Sequence, residues 1–150
     1  MLHVSAGCGK TNCISYLLHL GADPNAIDIL GICITIFNRT PLHYAVQYGN
    51  NESIRLLLEA GAKVNAKDGA GISNIFFINF TPLHLAANIG DVSKCELLYI
   101  NKANLNVTDD TGLTPLHWAT TSQKLDCVEY FLNQGVNTDI RDLVGVLILF

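Results

Sequence analysis

Apolar residues along this chain come in short clusters at helical spacing, and the clusters repeat. Leu42, Ala45 and Val46 share one helix face at i, i+3 and i+4, and Ile54, Leu57 and Leu58 form a second face soon after. Glycine punctuates the two: Gly49 lies between them and Gly61 closes the second, before the turn signal Asp68-Gly-Ala-Gly71. The pattern predicts two short helices followed by a projecting finger. Gly49 is expected to stop the first helix by adopting a left-handed backbone. A unit with only one apolar face per helix cannot bury itself, so copies must stack.

The copies are present. Thr40-Pro-Leu-His43 recurs as Thr81-Pro-Leu-His84 and as Thr114-Pro-Leu-His117, at steps of 41 and 33 residues, and Met1-Leu2-His3 aligns with the end of the same motif. Gly9, Gly49 and Gly90 fall six residues after the histidine, with Gln123 in the last copy. Gly21, Gly61, Lys102 and Gly135 close the second helices, and Asp28, Asp68, Asp109 and Asp142 mark the fingers. The motif has a physical logic. Its threonine caps a helix through the hydroxyl, and proline suits the first turn, where no intrahelical N–H bond is needed. Equivalent histidines in a stack lie about a repeat apart. His43, His84 and His117 are therefore expected to be structural, bonding to Thr40, Thr81 and Thr114 or to nearby backbone, rather than to gather round a metal.

With these marks the chain resembles an ankyrin repeat array. The resemblance implies an all-α solenoid of helix-turn-helix units with β-hairpin or loop fingers. A single array over 1–150 divides into a partial repeat 1–31 and repeats 40–71, 81–112 and 114–145. It also implies a non-catalytic module that binds a partner protein through the finger tips and the concave face of the first helices. Those slots are Ile29-Leu30, Gly69-Ala70, Asp110-Thr111 and Leu143-Val144 at the tips. Before the interhelical turn they are Gly7-Cys8, Gln47-Tyr48, Asn88-Ile89 and Thr121-Ser122. Tyr48 and Ile89 are the strongest anchor candidates, being apolar in a slot the core does not require. Tyr44, Leu85 and Trp118, each after a motif histidine, either line the groove edge or pack between repeats. Asp68, Asp109, Asp110, Asp139 and Asp142 read either as an attraction for a basic partner or as solvated turn caps. In some members of the family the asparagine matching Asn25, Asn65 and Asn106 is hydroxylated.

The chain departs from the family pattern between repeats. Leu113 alone separates Gly112 from Thr114, whereas residues 32–39 and 72–80 fill the first two junctions, and both inserts are apolar. A third apolar string, residues 146–150, follows Gly145. Three readings stay open: longer β-hairpin fingers, a docking patch for a partner or membrane surface, or untranslated segments read through in the gene model. The 14 Asn and 14 Ile, favoured by A/T-rich codons, fit the last of these. The start within a repeat and the apolar end point to a longer array. That raises a second reading of function, a regulatory domain of a larger enzyme or membrane channel.

Composition narrows the field further. The chain is 49% hydrophobic and only 15% charged, against roughly 25% charged in an average soluble domain. Its strongest apolar runs, Ile29–Phe37 and Val144–Phe150, fall short of the ~18–20 residues a helical span needs. A net charge of −4 supplies no field for nucleic acid. Five cysteines without a CxxC pair argue against a disulfide framework or zinc knuckle, so a reduced compartment is expected, cytoplasmic or else nuclear. Gly7-Cys-Gly-Lys-Thr11 is like the end of a phosphate-binding loop, but Val4 stands where its first glycine belongs and a helix is predicted in place of the strand. Nucleotide binding through Gly9-Lys10-Thr11 is carried only as an alternative. No cofactor, metal site or small-molecule substrate is indicated.

Overall fold

The computed structural model describes residues 1–28, 38–69 and 79–140. Within them lie eight α-helices and no strand. They run α1 Leu2–Gly7, α2 Thr11–His19, α3 Pro41–Tyr48, α4 Asn51–Glu59, α5 Pro82–Ile89, α6 Val92–Ile100, α7 Pro115–Thr121 and α8 Leu125–Asn133. Each odd-numbered helix packs on the even one that follows it, and the pairs stack: α1, α3, α5 and α7 form one layer, α2, α4, α6 and α8 the other. The result is an all-α repeat solenoid. None of these helices is long and apolar enough to cross a membrane.

Why each unit starts where it does is visible at the motif. Thr40, Thr81 and Thr114 cap α3, α5 and α7 in an extended conformation, with proline in the first turn and the motif histidine completing a capping box. Of the second helices, α4 and α6 are capped by a polar side chain, whereas Lys10 and Lys124 before α2 and α8 make no side-chain cap. Asn50 accepts from the Ser53 amide at 2.9 Å and Asp91 from the Lys94 amide at 3.1 Å.

The buried faces make one continuous core. Leu42, Leu83 and Leu116 follow each other up the first layer, and Ile54, Cys95 and Val128 up the second, all at most 9% exposed. Cys95 therefore fills a core slot, with its Sγ 4.0 Å from that of Cys127. Lys94 is also buried; its ammonium crosses to the previous repeat and donates to the Val46 carbonyl at 2.9 Å, capping the end of α3.

The expectation for Gly49 is corrected. Its backbone is extended (φ −88°), whereas Gly9, Gly90 and Gln123 in the same slot are left-handed (φ 64°, 89° and 57°). Glycine is required at 49 by close approach instead. A Cβ there would collide with the Ala6 carbonyl of the neighbouring unit and sit 2.8 Å from the Ala45 carbonyl.

The junctions between units share one closure. In the short finger, Asp109 N–H donates to the Leu113 carbonyl (3.0 Å) and its Oδ1 accepts the Leu113 amide (2.9 Å). Asp68 and Phe80 make the same double bond at 2.8 and 2.7 Å, and Asp28 and Arg39 at 3.0 and 2.6 Å. The left-handed position before the stem, held by Gly112 (φ 84°), is taken by Asn38 (φ 45°) and Asn79 (φ 62°). Asparagine is the non-glycine residue that tolerates it best. The two longer connections thus leave and rejoin the solenoid through the stem used by the shortest. Residues 29–37 and 70–78, which contain most of both inserts, and residues 141–150 lie outside the described residues, as do Gly31, Gly71 and the apolar tail.

Candidate functional site

The motif histidines hold the architecture from inside. His43 Nδ1 accepts the Thr40 amide at 3.2 Å and lies 2.9 Å from its hydroxyl, so the proton resides on Nε2, which donates to the Phe80 carbonyl at 3.0 Å. His84 repeats this with Thr81 and the Leu113 carbonyl (3.1 Å), and His3 Nε2 reaches the Ala26 and Arg39 carbonyls. His117 makes the threonine half with Thr114. The rings of His3, His43 and His84 therefore tie a helix start to the stem of a finger. Burial pushes His43 and His84 down to about 4, keeping both neutral.

The finger acids are held tightly too. Asp68 is buried against Arg39 (Nε–Oδ2 3.2 Å), and loss of solvent raises it to about 6 although Arg39 pulls the other way. Asp109 is buried and accepts from the Thr111 and Leu113 amides and from Trp118 Nε1 at 2.8 Å. Neither is a solvated cap. Asp110 and Asp139 are exposed, and Asp142 lies outside the described residues.

The proposed contact slots divide by what their side chains already do. Gln47 accepts from Arg39, eight residues before it at the start of the same unit, and Asn88 accepts the Ser122 hydroxyl of the next unit at 2.6 Å. Tyr48 is 64% exposed and Ile89 38%, while Thr111 and Thr121 also face solvent. Asp110 receives the Asn79 amide, and Gly69 packs against Asn38. Ile29, Leu30, Ala70, Leu143 and Val144 lie outside the described residues. Of the residues after the motif histidines, Leu85 is buried, whereas Trp118 packs edge-on to Phe80 at 4.8 Å. Tyr44 does both jobs: it donates to Asp28 and lines an open cavity.

These placements enclose a cavity of about 500 Å³ at the N-terminal end of the first-helix layer. Val4 and Ile27 form apolar walls, Tyr44 and Tyr48 an aromatic one with ring centres 6.4 Å apart, and Asp28 brings a carboxylate. Val4, Ile27 and Asp28 were not among the contact slots read from the sequence. The available signal was positional, since Val4 occupies the slot of Tyr44. Gly9-Lys10-Thr11 forms no phosphate cradle: a helix, α1, precedes it, and Gly9 packs against Asn50, whose Nδ2 donates to its carbonyl.

Comparison with known proteins agrees with this geometry. A family model described as ankyrin repeats (3 copies) matches residues 1–68 and 71–142, and a second, ankyrin repeats (many copies), matches 42–98. An ADP-ribosylation factor GTPase-activating protein of Arabidopsis thaliana is 38% identical over 49% of the chain and 8% of its own length. An ankyrin repeat-containing protein of Schizosaccharomyces pombe is 34% identical over 49% of the chain and 32% of its own. A mouse B-cell lymphoma 3 protein homolog is 38% identical over 48% and 15%. The chain thus spans no more than about a third of these relatives. Matched along nearly all of its length, and built from capped helix pairs stacked in two layers, the chain belongs to the ankyrin repeat family.

Proposed function

We propose that this chain is a non-catalytic module that binds a partner protein along the exposed face of its first helices and the adjoining finger tips. Tyr48 carries the reading. It is a large aromatic side chain, mostly exposed, at the mouth of a concavity, in a slot whose neighbours Gln47 and Gly49 serve the stack. Ile89, in the same slot one repeat on, continues the surface, and Asp110, Thr111 and Thr121 border it. The repeat boundaries 1–31, 40–71, 81–112 and 114–145 are part of this proposal. So is a cytoplasmic or nuclear setting.

Affinity purification of the full chain beside its Tyr48→Ala and Ile89→Ala variants tests the surface. Partners lost from both variants, with helical signal unchanged, are expected. A partner set held equally by all three would overturn it. A second reading is favoured by the small share of the plant relative that matches: the array serves inside a longer protein to position or restrain another domain.

A further inference from the structure

The cavity beside Tyr48 has an unusual composition for a purely apolar anchor site. Val4, Ile27, His3 and Cys8 line it beside the two tyrosines, and the carboxylate of Asp28 is among its lining groups. We propose that it receives one basic side chain, arginine or lysine, from a partner segment lying on the concave face; this rests on the functional reading above. The aliphatic stem of such a residue covers Val4 and Ile27, and its cation meets Asp28 and the face of Tyr48.

The electrostatics favour a cation over an apolar group. Asp28 uses one lone pair of Oδ1 on the Arg39 amide (2.6 Å) and one of Oδ2 on the Tyr44 hydroxyl. A carboxylate has about four acceptor sites, so among the described residues two are left for an incoming donor. The Arg39 guanidinium bonds Asp68 and Gln47, and its charge offsets part of the Asp28 field at Tyr44. Met1, 91% exposed, forms the outer rim, where water screens its α-amino group. A leucine or phenylalanine would strip water from Asp28 without replacing its hydrogen bonds, which is unfavourable. Tyr44 registers the same field: burial first, and Asp28 after it, push its hydroxyl up to about 12. The chain's net charge of −4 steers a basic segment toward it.

A random dodecapeptide library displayed on phage and selected on the full chain supplies the probe. Peptides with a fixed Arg or Lys are expected. Replacing a selected arginine by neutral, isosteric citrulline, or a selected lysine by neutral acetyl-lysine, should weaken binding about tenfold to the wild-type chain. In Asp28→Asn, the same replacement should weaken binding less than about twofold. Tyr48→Ala, which trims a mostly exposed ring beside Tyr44, is the companion variant and should also lose about tenfold. Selected peptides that depend on Tyr48 and Ile89 but carry an apolar residue there, or tolerate the neutral replacement in the wild type, would overturn the basic-side-chain inference alone. Peptides indifferent to both Tyr48→Ala and Ile89→Ala, or no enrichment at all, would overturn the concave-face reading and this inference with it.

Discussion

At the scale of single residues, the motif histidine is a neutral strut whose two nitrogens have opposite duties. His84 Nδ1 accepts the buried Thr81 amide and Nε2–H donates to the half-buried Leu113 carbonyl. His84→Ala leaves the buried Thr81 amide and the half-buried Leu113 carbonyl unmatched and is expected to lower unfolding free energy by about 2–3 kcal/mol in urea titration. Protonating Nδ1 does comparable damage, which sets a pH dependence. His43 and His84 hold pKa values of about 4 in the fold against 6.5 when exposed. Between those values the unfolded chain binds more protons, so their contribution is complete above pH 6.5 and drains away as pH falls toward 4. Asp68 acts with the opposite sign, its pKa raised from 3.8 to about 6, so acid favours the fold there. Two histidines outweigh one carboxylate, and the urea midpoint should fall from pH 7 to pH 5, with a shallower fall in His84→Ala. The threonine–histidine half of this strut could be read from the sequence because it spans three residues and recurs. Its other half could not, since a backbone carbonyl 29 or 37 residues away leaves no mark in residue type.

At the scale of elements, the fold depends on punctuation, and the reasons behind it were only partly readable. Glycine at 49 and glycine at 61 look alike in the sequence and differ in the structure. Gly61 has φ 87° with open space where a Cβ would stand; Gly49 has ordinary φ and a neighbouring helix in that place. Gly61→Ala should therefore cost about 1 kcal/mol of backbone strain. Gly49→Ala should cost more, about 2–3 kcal/mol, because α1 and α3 must separate. Thermal unfolding of the two variants gives the order, and the reverse order would refute the close-approach account. The stems support a further expectation. Asp28–Arg39 and Asp68–Phe80 are hydrogen-bonded like Asp109–Leu113, so the solenoid is closed beneath both long connections. Deleting residues 32–38, or 72–79, restores the length of the third finger. Either deletion should leave helical circular dichroism intact and stability within about 1 kcal/mol, or slightly higher through the shorter loop. Loss of helix on deletion would mean the connection itself supports the stack.

At the scale of the whole molecule, the question is whether stacked repeats open together. In a solenoid, each unit touches only its neighbours, so cooperativity depends on the faces they share. The cysteines report on one such face. Cys8 and Cys13 are exposed in the first unit, while Cys95 and Cys127 are fully buried with their sulfurs 4.0 Å apart, linking α6 to α8. Their contact and their burial raise the Cys95 thiol well above its ordinary range, which removes the thiolate that reagents attack. The 32–38 deletion also removes Cys33, leaving four cysteines whose surroundings are all defined. Pulsed labelling of that variant with a maleimide, mapped by mass spectrometry, should modify Cys8 and Cys13 at once. Cys95 and Cys127 should follow at a common slow rate, because separating their helices uncovers both atoms. If that rate rises with urea along the slope of global unfolding, α5–α8 opens with the rest as one unit. If Cys127 labels ahead of Cys95 with a smaller slope, α8 frays alone, and the last helix pair adds less to stability than its buried Phe131 suggests.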